Sequence, residues 1–260
     1  MGSDIFSLKG KSALVTGGAQ GLGRMIAEAL LSAGAQVTIT SRKADVAAAA
    51  AEELGSLGDC RAIACDLSTT EGAEHLAAAY GEDGRGLDIL INNAGKTWGA
   101  PIESFPDKAW GSVMTVNVHI PFKLVQLFLP LLRAAGRRED PARVINIGSV
   151  AGIRTQDLAA YSYVASKAAI HQLTKQLAAD LAKDFINVNA VIPGYFATSM
   201  TAHLRAEDGS EDAEIVGHIP LGRFGQAGDI GPTIILLSSL GGAYITGAHI
   251  PVDGGLSGCG

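Results

Sequence analysis

The chain has 260 residues, of which 47% are hydrophobic and 5% aromatic, and this length and composition predict one α/β domain over residues 1–260. Its formal net charge of −6, without any basic run, excludes nucleic acid as the main partner. We expect a cytoplasmic protein without a metal site or a membrane segment, because the three cysteines form no CxxC pair, no signal peptide is visible and no apolar run approaches the roughly 18 residues of a membrane span.

The first predicted strand, residues 11–16, leads into a glycine-rich turn and then into a helical pattern over residues 24–33. A helix that begins at such a turn offers free backbone N–H groups and its positive dipole end to a phosphate. Any strand-to-helix turn favours glycine, but the T-G-x-x-x-G-x-G spacing favours a dinucleotide site. The residues expected to bind the phosphates are Gly17, Ala19, Gln20, Gly21, Leu22 and Gly23.

The second predicted strand, residues 36–40, ends just before Ser41, Arg42 and Lys43. In dinucleotide-binding folds an acid at this point holds the 2′-hydroxyl of NAD, whereas an arginine accommodates the 2′-phosphate of NADP. The first acid here is Asp45, so these residues predict NADP(H) in preference to NAD(H). The alternative is that Arg42 and Lys43 are ordinary surface cations.

Two further strands, residues 60–64 and 87–91, end in polar residues. Asp66 can contact an adenine amino group or cap the helix that follows, and both interpretations stay open. The Asn92-Asn-Ala-Gly95 run suits a turn, and it also lies where open α/β sheets bind ligands. The residues expected to contact the cofactor here are Asp66, Leu67, Asn93, Ala94 and Gly95.

Residues 109–132 predict one long helix that carries Asn117 and Pro121. Proline has no N–H to donate to the carbonyl four residues earlier. We therefore expect the Asn117 carbonyl to accept a hydrogen bond from a water or from a lysine ammonium. The alternative is a simple kink in a buried helix.

A polar loop follows, and its arginines could dock an acidic acyl carrier protein. Glu139 and Asp140 dilute the positive charge, so a solvated cluster without a partner is the alternative. The arginines are Arg133, Arg137, Arg138 and Arg143.

Tyr163 and Lys167 are four residues apart, so on a helix they share one face. An ammonium beside a phenol favours the phenolate, and we expect Lys167 to lower the pKa of Tyr163 below its ordinary value of about 10. Ser149 can hydrogen-bond the same substrate oxygen, so the three residues predict proton transfer near neutral pH. Tyr161 lies on another face and serves as an internal control. The plain alternative is a helix with a surface tyrosine and lysine.

A segment at about residues 196–220 is predicted to form a substrate lid. Phe196, Met200 and Leu204 favour an apolar substrate. Cofactor contacts are expected at the start of this segment and just before it, at Pro193, Gly194, Phe196 and Thr198.

Further strands are predicted at residues 143–148, 186–192 and 249–252, with helices at 168–181 and 227–240. Strand and helix therefore alternate along the whole chain. This alternation predicts a doubly wound parallel sheet with right-handed crossovers.

Taken together, these motifs resemble those of the classical short-chain dehydrogenase/reductase family over nearly the whole chain. The motifs, in chain order, are Thr16-Gly-x-x-x-Gly-x-Gly23, Asp66, Asn92-Asn-Ala-Gly95, Asn117, Ser149, Tyr163-x-x-x-Lys167, Pro193-Gly194 and Asp253-Gly-Gly255. The resemblance implies a Rossmann fold, hydride transfer between a nicotinamide and a carbonyl or alcohol carbon, and a tetramer or dimer.

The same resemblance implies a role for each candidate catalytic residue. Tyr163 would be the acid or base, and Ser149 would polarise the substrate oxygen. Lys167 would bind the nicotinamide ribose and lower the Tyr163 pKa, while Asn117 would hold a water in the proton relay. The long helices that carry Asn117 and Tyr163 would form the subunit interfaces.

Within the family, the chain is most similar to NADPH-dependent 3-oxoacyl reductases, which implies a 3-oxoacyl thioester substrate. It departs from common reductases of acyl carrier protein substrates in its lid, and in Gln20, where arginine is frequent. Oxidation of a sugar acid, a steroid or another secondary alcohol is the alternative activity. A non-catalytic cofactor-binding protein is a further alternative, although the catalytic residues are all present.

Overall fold

Seven strands form one parallel sheet in the computed structural model, which describes residues 3–155, 158–198 and 212–259. The strands are β1 (Ser12–Val15), β2 (Gln36–Ser41), β3 (Cys60–Ala64), β4 (Ile89–Asn92), β5 (Ala142–Ile147), β6 (Ile186–Pro193) and β7 (His249–Val252). Their order in the sheet is β3-β2-β1-β4-β5-β6-β7, so the winding direction reverses between β1 and β4. The predicted doubly wound sheet is confirmed, and a ligand crevice is expected where the order reverses.

Helices connect the strands and cover both faces of the sheet. They are α1 (Gly21–Ser32), α2 (Ala44–Leu54), α3 (Thr70–Gly81), α4 (Asp107–Met114), α5 (Ile120–Ala135), α6 (Tyr161–Leu181), α7 (Ala213–Gly217) and α8 (Ala227–Ser238). Two of them begin before the predicted residue, because the glycines of α1 and the polar first turn of α6 hide the helical pattern in the sequence.

The predicted single helix over residues 109–132 is instead two α-helices joined by a π-helical turn at Thr115–His119. Pro121 is the second residue after this turn, and the N–H of Ile120 bonds to the carbonyl of Thr115, five residues back. A proline that cannot donate its hydrogen bond explains the wider turn.

The expectation that no apolar segment reaches membrane length is also corrected. The continuous helical stretch Asp107–Ala135 has 29 residues, and its most apolar 18-residue window has a mean hydropathy of 1.3, enough by length and composition to cross a membrane. One side of this stretch packs inside the fold, however, where Leu124, Phe128 and Leu132 are buried. The stretch therefore has the character of a core helix.

The sheet separates two hydrophobic cores. On one face α1 and α8 pack together and bury Ile26, Leu30 and Ile234. On the other face the rings of Tyr80 and Phe128 meet edge to face, with centroids 5.4 Å apart. Every residue of β4, β5 and β6 is buried, as expected for parallel strands covered on both sides.

Arg143 of β5 is only 1% exposed, so it cannot belong to a docking surface for a carrier protein. Its Nε donates to the Leu237 carbonyl at 3.0 Å, and an Nη donates to the Ser239 carbonyl at 2.8 Å. Asp140 supplies a counter-charge at 3.3 Å. The guanidinium therefore joins β5 to the end of α8, and only the exposed arginines of the loop face solvent.

Replacing Arg143 with alanine is expected to lower the free energy of unfolding by about 3–5 kcal/mol, because buried carbonyls lose their donors. Urea denaturation measures this loss. The matched control is Arg133→Ala, which removes a solvent-exposed ion pair with Asp184 and should cost less than about 1 kcal/mol. Equal losses in the two variants would contradict the structural role of Arg143.

Candidate active site

A cavity of about 480 Å³ opens at the carboxyl edge of the sheet, where β1 and β4 end side by side. It brings together nearly all of the predicted site residues. Those that line it are Gly17, Ala19, Gln20, Gly21, Leu22, Gly23, Ser41, Arg42, Asp66, Leu67, Asn93, Ala94, Gly95, Ser149, Tyr163, Lys167, Pro193, Gly194, Phe196 and Thr198. Lys43 and Asn117 do not line it, and Met200 and Leu204 lie outside the described residues.

The glycine loop has the geometry of an anion site. Gly17 and Gly21 adopt φ values of +65° and +55°, a region that favours glycine. A Cβ on Gly23 would lie 2.3 Å from the Gly17 carbonyl oxygen, so only glycine lets α1 pack this closely on the turn. The side chain of Gln20 makes no capping hydrogen bond, and the N–H groups of the first turn of α1 remain available to a phosphate.

Thr16, at the end of β1, holds this loop against the end of β4. Its hydroxyl oxygen accepts hydrogen bonds from the N–H groups of Asn93 and Ala94, both at 2.9 Å. The Asn93 side chain donates back to the Thr16 carbonyl at 2.9 Å. Hydrogen bonds therefore connect the two walls of the cavity directly. Asn93 both lines the cavity and stabilises the contact between its walls.

At the end of the cavity that β2 reaches, Ser41 is the last residue of that strand and Arg42 lies exposed at the rim. Lys43 is the residue that precedes α2, and its N–H donates to the Ser41 hydroxyl at 3.4 Å. Of the two predicted cations, Arg42 is thus the one placed to meet a ligand in the cavity.

Asp66 lies in the same region. The helix-cap alternative for Asp66 is wrong, because the side chain that caps α3 is that of Thr69, which accepts the Gly72 N–H at 3.1 Å. Hydrogen bonds from Ser68 lower the pKa of Asp66, and the charges of Arg42 and Lys96 lower it further. Asp66 is therefore an ionised acceptor at the cavity wall.

The three predicted catalytic side chains converge at the other end. Ser149 begins the short 3-10 turn Val150–Gly152, and its hydroxyl accepts the Ala151 N–H at 3.2 Å. The Ser149 hydroxyl interacts with the phenol of Tyr163 and opposes the rise of its pKa. The Lys167 Nζ lies 5.6 Å from the centre of the Tyr163 ring and donates to the Ile147 carbonyl at 2.8 Å. Tyr161 points elsewhere, against Phe105.

The prediction that Lys167 lowers the pKa of Tyr163 is wrong. Burial raises the pKa of Tyr163, and only the interaction with Ser149 opposes this rise. Burial also lowers the pKa of Lys167 to about 8. Desolvation disfavours both charged forms, and it outweighs the attraction that the sequence spacing predicted. Tyr163 therefore holds its proton, and Lys167 is the group that titrates near neutral pH.

Asn117 lies in the π-helical turn, and its side-chain amide is fully used by the protein. Its Oδ1 accepts the Lys96 N–H at 2.8 Å, and its Nδ2 donates to the Lys96 carbonyl and to the Ser166 hydroxyl, both at 2.9 Å. Asn117 thus clamps the loop after β4 to α6. That its main-chain carbonyl holds a water or a lysine ammonium stays a prediction.

Comparison with known proteins identifies the family. A family profile described as Enoyl-(Acyl carrier protein) reductase matches residues 17–257, almost the whole chain. The chain belongs to the short-chain dehydrogenase/reductase family.

Individual members of the short-chain dehydrogenase/reductase family show high similarity. The rhamnolipids biosynthesis 3-oxoacyl-(acyl-carrier-protein) reductase of Pseudomonas aeruginosa is 49% identical over 96% of this chain and 97% of its own length. The solved Pseudomonas aeruginosa RhlG/NADP active-site complex superimposes with a TM-score of 0.95 at 47% identity, covering 98% of this chain and 100% of that chain. The 2-dehydro-3-deoxy-D-gluconate 5-dehydrogenase of Bacillus subtilis is 38% identical over 97% of this chain and 96% of its own length. The resemblance inferred from the sequence is confirmed.

Some cavity residues of this short-chain dehydrogenase/reductase were missed by sequence reasoning. They are Thr40, Cys65, Ser68, Lys96, Val116, Ile147 and Gly148. Most are direct neighbours of predicted residues, and that adjacency was the available signal. Burial raises the pKa of the Cys65 thiol, and its side chain is buried, so Cys65 is a packed wall residue. Among the described residues, no cluster of three or more His, Cys, Asp or Glu could hold a metal ion.

We expect kcat/KM for carbonyl reduction to fall about tenfold per pH unit above pH 8, because Lys167 loses its proton there while Tyr163 keeps its own. A pH profile from 6 to 10 measures the midpoint. The matched control is Lys175→Gln, which removes an exposed ammonium two turns further along α6 and should leave the midpoint unchanged. A midpoint near 10 would assign the titration to Tyr163 instead.

Proposed function

We propose that this chain is an NADPH-dependent reductase that converts the ketone of a 3-oxoacyl thioester to the 3-hydroxy product. The observation that carries the proposal is the convergence of Ser149, Tyr163 and Lys167 on one end of the cavity, with the Lys167 ammonium 5.6 Å from the centre of the Tyr163 ring. Two hydroxyl groups that meet at one point of a cavity can both bind a single carbonyl oxygen.

When bound in the cavity, NADPH would supply the hydride. Tyr163, with its raised pKa, holds a proton at neutral pH and donates it to the oxygen that becomes an alkoxide. The Ser149 hydroxyl donates a hydrogen bond to the same oxygen and stabilises its developing charge. Lys167 is fixed by the Ile147 carbonyl, so its remaining N–H groups are directed towards the cavity. Its positive charge favours the transfer of the proton from Tyr163.

The dinucleotide fits the cavity because the glycine loop leaves no side chain where the phosphates would lie. Gly17 and Gly23 allow the close backbone approach, and the first turn of α1 supplies N–H donors. At the adenosine end, Arg42 without a nearby acid on β2 favours a 2′-phosphate, so we propose NADP(H) as the cofactor. The similarity to a solved NADP complex supports this preference.

The substrate assignment rests on the similarity to 3-oxoacyl reductases and on the apolar Phe196 in the cavity lining. We infer that residues 1–260 act as one domain, with the lid at about residues 196–220. An acyl carrier protein would present the thioester, although the buried Arg143 takes no part in docking it. Oxidation of a sugar acid is the second candidate, because the Bacillus subtilis relative is named for that activity.

We also propose a cytoplasmic homo-oligomer, either a tetramer or a dimer. Trp110, Phe122 and Tyr161 remain 36–42% exposed on α4, α5 and α6. Large apolar side chains on neighbouring helices suit an interface between copies of the chain.

Replacing Tyr163 with phenylalanine is expected to lower kcat by about 10²- to 10⁴-fold, because the proton donor is lost while the ring stays packed. The assay follows the loss of NADPH absorbance with a short 3-oxoacyl thioester. Tyr161→Phe removes a hydroxyl from the same helix outside the cavity and should keep full activity. Near-native turnover in Tyr163→Phe would refute the mechanism.

The same assay separates the candidate substrates. Wild-type turnover of the 3-oxoacyl thioester supports the proposed reductase. Turnover of a trans-2-enoyl thioester instead would agree with the description of the family profile. If neither thioester reacts while NADP⁺ oxidises a sugar acid, the second candidate is the function.

Replacing Arg42 with alanine is expected to weaken NADPH binding about 10- to 100-fold, the effect of losing one charge-assisted hydrogen bond. NADH binding should stay within about twofold, since NADH has no 2′-phosphate. Titration of cofactor against protein fluorescence gives both dissociation constants. Arg138→Ala, in the exposed loop far from the cavity, is the matched control. An equal loss for both cofactors would place Arg42 elsewhere than at the 2′-phosphate.

A further inference from the structure

His171 lies on α6, one turn beyond Lys167 on the same helix face, and is only 4% exposed. Its ring packs against the backbone of the turn that carries Ser149. A Cβ on Gly148 would lie 2.2 Å from the His171 Nε2, and a Cβ on Gly152 would lie 2.7 Å from its Cε1. The imidazole therefore fills the space beside this turn on both sides of Ser149.

The imidazole also makes a polar contact with the residue whose hydroxyl faces the cavity. The Ser149 N–H donates to the His171 Nε2 at 3.4 Å. For this contact the Nε2 must be unprotonated, so the ring proton lies on Nδ1, which has no partner among the described residues. Burial lowers the pKa of His171 to about 4, and the charges of His249, Lys167 and Lys175 act in the same direction. The ring is thus a neutral acceptor at neutral pH.

The helix beneath the ring is itself held in place. The Nε2 of His249, on β7, lies 2.8 Å from the His171 carbonyl, and the two rings lie 5.2 Å apart. The Gly152 position also lies against the main chain of Lys167, since a Cβ there would be 2.7 Å from the Lys167 carbonyl carbon. The turn of Ser149 is therefore seated on the same helix that carries Tyr163 and Lys167.

We propose that His171 is a positioning residue that fixes the Ser149 turn, and thereby the direction of the Ser149 hydroxyl, relative to Tyr163. The inference rests on the proposed reduction at Ser149 and Tyr163. His171 touches neither substrate nor cofactor. It acts through the Ser149 amide and through the packing of the turn. Its loss affects the chemical step and leaves cofactor binding unchanged, because the glycine loop lies on other elements.

A double-mutant cycle with Ser149 tests this role. His171→Leu keeps a side chain of similar bulk but removes the acceptor, and we expect kcat to fall about 10- to 100-fold, as a small misplacement of a catalytic group does. The dissociation constant of NADPH should stay within about twofold. In a Ser149→Ala background the same substitution should lower kcat by less than about twofold, because the hydroxyl that it misplaces is already gone. His171→Gln, which offers a new acceptor, should recover part of the loss.

One control variant and one substitute variant separate positioning from general destabilisation. Leu177→Ala makes a cavity further along α6, away from the Ser149 turn, and should lower the melting temperature without changing kcat at 25 °C. If His171→Leu does not fold, His171→Asn, which is polar but too short to reach Ser149, replaces it in the cycle.

Each result has a defined meaning. A kcat of the His171 variant within twofold of wild type overturns the inference, as does an equal loss with and without the Ser149 hydroxyl. Full turnover in Ser149→Ala alone refutes the proposed role of Ser149, and with it this inference. Loss of turnover in Ser149→Ala with normal turnover in the His171 variant leaves the proposed function standing and removes only the role of His171.

Discussion

The parallel pairing of β1 with β4 is the constraint on which the site depends. These neighbours end at the same edge of the sheet, and their connections leave in opposite directions, so no helix covers the space between their ends. Thr16 then ties the two ends together through one hydroxyl that accepts two main-chain hydrogen bonds. The glycine loop and the asparagine turn are thereby held as two walls of one cavity. The cofactor-binding end and the catalytic end of the cavity are therefore positioned by the same pair of strands.

The sequence patterns predicted the seven strands and most residues of the cavity, because parallel strands read as short apolar runs and because the glycine and tyrosine–lysine spacings are local signals. The predictions were wrong where a helix geometry, a side chain's burial or its pKa depends on tertiary contacts. One long helix was expected where Pro121 produces a π-helical turn. Arg143 looked like a surface cation, and only the fold brings the Leu237 and Ser239 carbonyls to it. The pKa of Tyr163 was expected to fall, since spacing shows the neighbouring charge but not the burial that outweighs it.

Buried hydrogen bonds between polar side chains hold the strands and the helix behind the cavity in register. Asn92 donates to Asn146 at 2.8 Å, and Asn146 donates to Thr174 on α6 at 2.9 Å. These contacts join β4, β5 and α6 at one depth below the catalytic side chains. A buried amide without a partner is costly, so each of these hydrogen bonds selects one register of helix against sheet. His171 and Asn117 extend the same principle to the turn of Ser149 and to the loop after β4. The catalytic helix is thus aligned by polar contacts as well as by apolar packing.

The cavity wall contains one cysteine, Cys65, whose protonation state decides how readily the cavity reacts with oxidants. Cys65 lies beside the adenosine end, and its raised pKa keeps it a thiol at neutral pH. Cys60, at the other end of β3, has a pKa raised to about 11 by burial. Oxidants and alkylating reagents attack the thiolate, so neither sulfur is a ready target. The cofactor pocket therefore offers oxidants no readily ionised thiol, whereas the exposed Cys259 lies outside the residues that line the pocket.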